Sequence, residues 1–542
     1  MHIKQKQNTA FDLFCAFLIC FPVFLSPHTK LLGSPKVDVW NHSWGGFWWA
    51  NSLQNGEVPW STTLLAWPGG GVLWFIDPIL AFISTPFAFV STALGYNITC
   101  FLYVFFASWS IRFFARVLGA PRGGEFLAAG AFACSGWMIS ELHNGITEAC
   151  NIGPTALALG CCVRATQTQR VKHWVYTGLS LALCFIASPY LGLGTSIAIT
   201  IISISSWQKA WIGAIVGLLG SLPTVLTMRS QLEHTAAIIK KPPGMNEMLA
   251  LHNAVDPRTF IAPFGFQSRD LTHEGFLHTL YLGIFALVLA LFFLRKKPLL
   301  LTALIACLFC ALGPYLYFGD SWVTLSGAKL RLPWWYLQQN IPALAITHPL
   351  RIGVPALAIV AAAAGAALNN LRVAQFQNLI IPAIFVDSLL LCGAPWPLET
   401  APGEIPSIYE EIKNDPRTVG VLDLPTDSKA TMEVSRYLYW QSEHKKPIPY
   451  SPDVRASTSS LLRYQSFRYL ASLCNRRSDE DQKLGLRNQH QVSPKELISA
   501  KIGWVVLHKN IDPEATAKIY PYLTKELGKG FETEDSVRWK IE

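Results

Sequence analysis

The chain has 542 residues, of which 51% are hydrophobic and only 15% charged, with 44 Lys and Arg against 35 Asp and Glu. Soluble domains carry roughly 25% charged residues, so this balance, with a mean hydropathy of +0.30, excludes a soluble globule, a disordered chain and a fibrous repeat. The formal charge of +9 does not call for nucleic acid, because polytopic membrane proteins gather Lys and Arg in their cytoplasmic loops.

Apolar runs near the roughly 20 residues needed to cross a bilayer are predicted at 11–30, 95–117, 123–142, 150–166, 172–188, 190–206, 210–228, 277–294, 298–317, 350–369 and 376–394, about eleven spans by hydropathy. The start has a basic tail, Lys4 and Lys6, then an apolar run with no small-residue cleavage site, and reads as an uncleaved first span. If the spans alternate, Arg112, Arg116 and Arg122, then Arg164, Arg170 and Lys172, then Lys209, then Arg295, Lys296 and Lys297, then Arg372 all fall on the side of the N-terminal tail. By the positive-inside rule that side is the cytoplasm. The segment 72–92 is apolar but broken by Asp77-Pro78 and Pro86. Counting it as a span would move the arginine clusters outside, so it is expected to be an interfacial or partly inserted helix on the outer face.

Three outer loops are then long, at about 31–94, 229–276 and 318–349, and the polar mass faces outward. From residue 396 charge becomes dense and apolar runs shorten, with Pro395, Pro397, Pro402 and Pro406 marking a linker. Strands are predicted at 418–425, 501–511 and 536–542, and helices at 405–414 and 513–527. The expected fold is therefore mainly α: a polytopic membrane helix bundle over 1–395, with a small α/β extracytoplasmic domain over 396–542. Most of the 12 cysteines lie in apolar stretches, so they read as buried filler rather than as disulfides or a zinc site.

The first outer loop, with Asp38 just past span one and Trp40, Trp44, Trp48, Trp49, Trp60, Trp67 and Trp74 behind it, is the most informative stretch. Residues 40–54 have the spacing of a helix lying flat on the membrane, with tryptophans at the interface. Asp38 there either takes a proton from an acceptor hydroxyl or simply caps that helix. The next outer turn, 139–154, offers Glu141, His143 and Glu148, ionisable groups of the kind that are costly and often functional at membrane depth. Glu148 also suits a helix N-terminus, and His143 also suits a plain turn. The 229–276 loop reads as a lid or lateral loop with Lys240, Lys241, Asp256, Arg258, Arg269, Asp270, His273 and Glu274; its arginines either bind an anionic head group or are solvated. Lys329, Arg331, His348 and Arg351 cluster beside the tenth span, with Arg351 inside its first turn, where an arginine fork suits a phosphate or pyrophosphate. Snorkelling towards head groups is the bland counterpart. Walker-A, GxGxxG, HExxH and GxSxG motifs are missing, as is a DxD pair in the outer loops.

VDVWNHSW with Asp38, NGEVPW, WPGGG, HNGITEA with Glu148, and THPLR with Arg351 together resemble the GT-C superfamily of membrane glycosyltransferases, in layout over most of 10–395 and in short patches of letters. The resemblance implies a polyprenyl-phosphate or pyrophosphate sugar donor and transfer on the outer face. The acceptor would be a lipid, glycan or protein, and no nucleic acid is involved. It implies catalytic roles for Asp38 and Glu148. Donor-phosphate contacts fall to Arg351 with Lys329 or Arg331, and His42, His143, His348 and Arg258 join the substrate-binding set. Asn41 and His42 stand where many members carry a second acid beside the first-loop aspartate. No metal ligands are assigned and no cofactor is required, with a divalent metal left open. The expected location is the bacterial inner membrane, with the N-terminus cytoplasmic and the C-terminal domain periplasmic. The rival expectation is a non-catalytic membrane protein that binds or moves a lipid-linked glycan. A transporter is disfavoured, because no repeat halves or paired broken spans appear.

Overall fold

A computed structural model of the chain describes residues 2–59, 62–69, 77–234, 253–264, 275–341, 344, 347–369, 377–426, 435–450, 461, 464–474 and 492–542. The sequence readings at Trp60, Trp74, Gly70, Gly71, Lys240, Lys241, Arg269, Asp270, His273, Glu274 and Arg372 lie outside these residues.

Helices dominate. In chain order they begin α1 His2–Cys20, α2 Val39–Gln54, α3 Pro78–Ala88, α4 Thr92–Val117, α5 Arg122–Ala133, α6 Gly136–Asn144, α7 Thr147–Cys150, α8 Gly153–Thr168, α9 Val171–Ala187, α10 Pro189–Ile202 and α11 Trp207–His234. Ile284–Leu294, Pro298–Ala311, Val354–Ala367 and Gln377–Leu390 complete the apolar bundle. Among the described residues, three helices are long and apolar enough to cross a membrane: Thr92–Val117, Ile204–Thr227 and Pro349–Ala367. The other apolar helices have 10–17 residues.

Local chemistry explains why several expected spans are shorter or broken. The run 123–142 splits because Ser135 leaves the helical region at ψ 159 and caps α6, accepting from the Met138 N–H. The run 277–294 is helical only from Ile284, behind Gly283 at φ +77. Its first residues are extended and buried; Leu282 N–H bonds Phe260 O over 3.1 Å, and Asp387 receives the Phe285 N–H over 3.1 Å. Irregular backbone at such depth persists only where protein satisfies it. The first span ends at Val23 rather than 30, and 298–317 ends at Ala311, giving way to paired short strands between Tyr317 and Lys329. Arg112 is not a loop residue: it lies inside α4, 3% exposed, bound to the fully buried Asp12 of α1. A guanidinium so placed is tolerated because it is paired.

The two extremes of burial locate the centre and the rim. Val354–Ala367 is buried throughout, and its small side chains let neighbours approach closely. Gly365 and Gly124 of α5 meet backbone to backbone, with no room for a Cβ on either. By contrast α11 exposes Trp207, Trp211, Leu218, Leu219 and Leu226, the face of a helix that meets lipid.

The C-terminal unit is built on a four-stranded sheet in which Gly420–Leu424 runs parallel to Ile502–His508, followed by Ser536–Lys540 and then Phe531–Glu532, each antiparallel to its neighbour. Helix Pro513–Leu527 packs through Ala515, Ile519 and Leu523. The expected boundary at 395/396 is laced across. Strand Lys30–Leu32 pairs with strand Thr400–Pro402, and Trp67 Nε1 donates to Lys501 O. One hydrophobic core runs from Trp137 in the bundle through Trp40 of α2 to Tyr409 and Tyr437 in the α/β unit. The tryptophans of α2, expected to anchor at a lipid interface, instead form part of that core: Trp40, Trp44 and Trp48 are at most 2% exposed. Trp44 Nε1 donates to Gln441 Oε1 over 2.7 Å.

Candidate functional site

Asp38 occupies the N-cap position of α2, yet its carboxylate does not cap the helix. Its Oδ1 instead accepts from Asn41 Nδ2 over 3.0 Å, and its backbone N–H bonds Asn144 O at the end of α6. One turn on, His42 projects from the same ridge. His42 Nδ1 lies 3.0 Å from Thr147 Oγ1 and Nε2 lies 3.5 Å from Glu148 Oε2. Glu148 Oε1 in turn accepts from Arg351 Nη1 over 3.0 Å. The structure thus gathers His42, Glu148 and Arg351 from three distant segments, with Asp38 adjacent along α2.

Arg351 belongs to the 3-10 turn Pro349–Gly353 that opens the buried helix. Its guanidinium lies over the Tyr190 ring at 5.7 Å. Its Nε is buried and, among the described residues, has no hydrogen-bond partner. His348 packs edge-on to the same ring and lies 2.9 Å from Thr347 Oγ1 through Nδ1. Burial lowers the pKa of His42, opposed by Glu148 and reinforced by Arg351, so the imidazole is neutral at neutral pH.

The other expected binders go elsewhere. Arg258 grips Asp256, with Nη2 to Oδ2 at 2.7 Å, and lies over Phe318. Lys329 sits over the rings of Tyr315 and Trp322, and Arg331 stacks on Trp335 at 4.0 Å. These three cations are held on the paired-strand segment by carboxylate and aromatic partners rather than by Glu148. His143 turns to Gly275 and the field of Glu399, its pKa lowered chiefly by burial.

Three residues that the sequence reading did not assign to the site surround it. Asp77 is 1% exposed, accepts from Tyr103 OH over 2.6 Å and caps α3 through the Ile79 and Leu80 N–H groups. Burial pushes its carboxyl up to about 7, with Glu148 adding to the rise and the three hydrogen bonds opposing it. Glu141 and His278 form a second buried pair, Oε1 to Nδ1 at 2.6 Å, and Asn144 Nδ2 donates to Leu277 O. Asp77-Pro78 carried a helix-start signal, and His278 was an ionisable side chain inside an apolar run; neither signal tells which acid it meets.

The donor set does not suit a divalent cation. Among the described residues, no three His, Cys, Asp or Glu side chains converge as metal ligands, and the Glu148 carboxylate already faces a guanidinium.

No protein-family model and no curated protein matches the chain. Solved structures do. The arabinofuranosyltransferase AftD from Mycobacteria superposes with a TM-score of 0.51 at 12% identity, over 100% of this chain and 40% of that one. The oligosaccharyltransferase of Archaeoglobus fulgidus, in its apo form, gives 0.50 at 13% identity, over 96% of this chain and 71% of that one. This chain thus spans less than half the length of the mycobacterial enzyme. At such identity the likeness is one of fold alone: this chain shares the fold of these two glycosyltransferases, the architecture that the GT-C resemblance leads one to expect.

Proposed function

We propose that the chain is an integral-membrane glycosyltransferase that moves a sugar from a polyprenyl-phosphate carrier to an acceptor at the periplasmic face of a bacterial inner membrane. The observation that carries this reading is Arg351: a buried guanidinium held by Glu148, with Nε unpartnered among the described residues. A phosphate oxygen is the natural acceptor for that N–H, and the arginine would stabilise charge as it grows on the leaving phosphate. Asp38, oriented by Asn41, takes the proton of the acceptor hydroxyl. Neutral His42 and Glu148 set the wall between the two, and Glu148 orients sugar hydroxyls. The isoprenoid tail lies against the apolar flank of the bundle. With the N-terminus cytoplasmic, the α/β unit and the α2 ridge share the far side. AftD and the Archaeoglobus oligosaccharyltransferase, whose fold this chain shares, are glycosyl-transferring enzymes, and that likeness supports this reading.

The test is glycan transfer in native membranes. Asp38→Asn is expected to lower turnover by about a hundredfold or more, the scale of a positioned general base. Arg351→Ala is expected to weaken donor binding by about tenfold or more, as loss of a charge-assisted contact does. Full turnover of normally inserted Asp38→Asn would remove that residue from the role. Unchanged donor affinity in Arg351→Ala would sink the phosphate assignment.

A further inference from the structure

Val354–Ala367, the buried helix that Arg351 introduces, runs for about 21 Å. At its far end Ala367 borders a cavity of about 490 Å³, within the size range of small-ligand sites. Leu118, just past the end of α4, and the rings of Phe292 and Phe293 give this cavity apolar walls. Its polar side is the turn Arg295–Lys297, which joins the apolar helices Ile284–Leu294 and Pro298–Ala311.

The charge of that turn is unanswered. Among the described residues none of Arg295, Lys296 and Lys297 has a carboxylate partner, and the Arg295 guanidinium lies over the Phe292 ring at 5.5 Å. The turns at this end of the bundle, 118–121, 164–172, 203–209 and 295–297, contain no Asp or Glu, and neither does the sequence 368–376. Asp12 and Glu125, acids of helices that reach this end, are already bound by Arg112 and Arg116. Lys297 holds the N-cap position of Pro298–Ala311 without a side-chain bond to its first turn, so the positive end of that helix adds to the same field. Three cations and a helix N-terminus call for an anion with several oxygens, and a phosphate supplies them. The apolar surface says what carries the phosphate. From the cavity, Phe292, Val288 and Phe285 climb one face of Ile284–Leu294 at four- and three-residue spacing, each at least 50% exposed. A free inorganic anion gains nothing from that strip, whereas acyl chains cover it. A basic turn needs no cavity to lie at a charged leaflet; this one closes on an apolar-walled cavity, as a site for a single lipid molecule requires.

We propose that this cavity holds the phosphate head group of one anionic phospholipid, in the leaflet opposite the Arg351 site. Arg295, Lys296 and Lys297 surround the phosphate, and the acyl chains lie along Phe292, Val288 and Phe285. The lipid is a resident partner of the bundle and neither gives nor receives a sugar. The assignment rests on the cavity's own chemistry and stands apart from any transfer at the other end of the buried helix.

Native mass spectrometry of the full chain in detergent, titrated with phosphatidylglycerol or with phosphatidylcholine, tests it. The unmodified protein is expected to retain one phosphatidylglycerol, at least about tenfold more tightly than phosphatidylcholine. Arg295→Gln/Lys296→Gln removes two of the three cations, and Leu118→Trp fills the cavity without changing charge. Each is expected to weaken retention by about tenfold. Arg170→Gln/Lys172→Gln takes the same charge from another basic turn at the same end and is expected to leave retention unchanged, which separates a site from a diffuse surface field. Arg351→Ala is also expected to keep it, so that failure of the transfer reading and failure of this one are separable. The proposal is overturned if the unmodified protein holds the two lipids equally, if retention survives in both Arg295→Gln/Lys296→Gln and Leu118→Trp, or if Arg170→Gln/Lys172→Gln lowers it as much. Displacement of the lipid by millimolar inorganic phosphate would also overturn it, in favour of a site for the free anion.

Discussion

Asp77 shows how a single carboxyl can make the site sensitive to proton concentration. Buried beneath α2 and near Glu148, it titrates at about 7, whereas in an unfolded chain it returns to about 3.9. Between those values the folded protein holds the proton and the unfolded chain does not. The resulting contribution to stability is complete below about pH 4 and is lost as pH rises through about 7. Asp77→Asn keeps an oxygen for the Ile79 and Leu80 N–H groups and cannot ionise. Its melting temperature is expected to fall less between about pH 5 and pH 8 than that of the parent; equal slopes would mean that another group titrates. The same protonation gives Glu148 a neutral neighbour below about pH 7.

At the scale of elements, the crossing of α5 with the helix Val354–Ala367 depends on two glycines. Gly124 and Gly365 each place a carbonyl where the other would carry a Cβ, so neither helix can move off without opening the centre of the bundle. Gly365→Leu is expected to cost about 1–3 kcal/mol or more by overpacking, read as a lower midpoint in denaturant-induced unfolding in detergent. An unchanged midpoint would mean that the two helices separate at no cost. This crossing also shows what the sequence could and could not reveal. Hydropathy located α4, α8, α9 and α10 closely, because an apolar run of that length has few other folds. It missed the break at Ser135 and the extended stretch before Gly283, where capping and a carboxylate from another helix outcompete helix propagation. The site was legible in part. His42, Glu148 and Arg351 were named and do meet. Arg258, Lys329 and Arg331 were named for their charge, yet that charge is engaged by Asp256 and by aromatic rings. Asp77 was read only as a helix breaker, since burial next to an acid of another segment leaves no trace in a linear pattern.

At the scale of the whole molecule, the bundle and the α/β unit are joined through Gln441. Fully buried, it accepts from Trp44 Nε1 over 2.7 Å and donates to Leu64 O and Lys446 O over 2.7 and 2.8 Å. Gln441→Leu leaves the buried Trp44 N–H without its partner, at about 1–3 kcal/mol, while Leu64 O keeps the Ile448 N–H. The expected outcome is faster release of a C-terminal fragment in limited proteolysis of the membrane-embedded protein, with the bundle intact; an unchanged cleavage rate would show that the joint does not depend on this amide.

The lacing of the first loop into the last domain has a consequence for biosynthesis. Trp67 and its partner Lys501 are 434 residues apart in the chain. At roughly 5–20 residues per second of translation, the ribosome finishes the second about twenty to ninety seconds after the first. For that interval a tryptophan-rich ribbon waits without its companion beside the insertion machinery. A holdase at that surface, or slow translation of the final hundred codons, would therefore decide how much newborn protein matures and how much clumps.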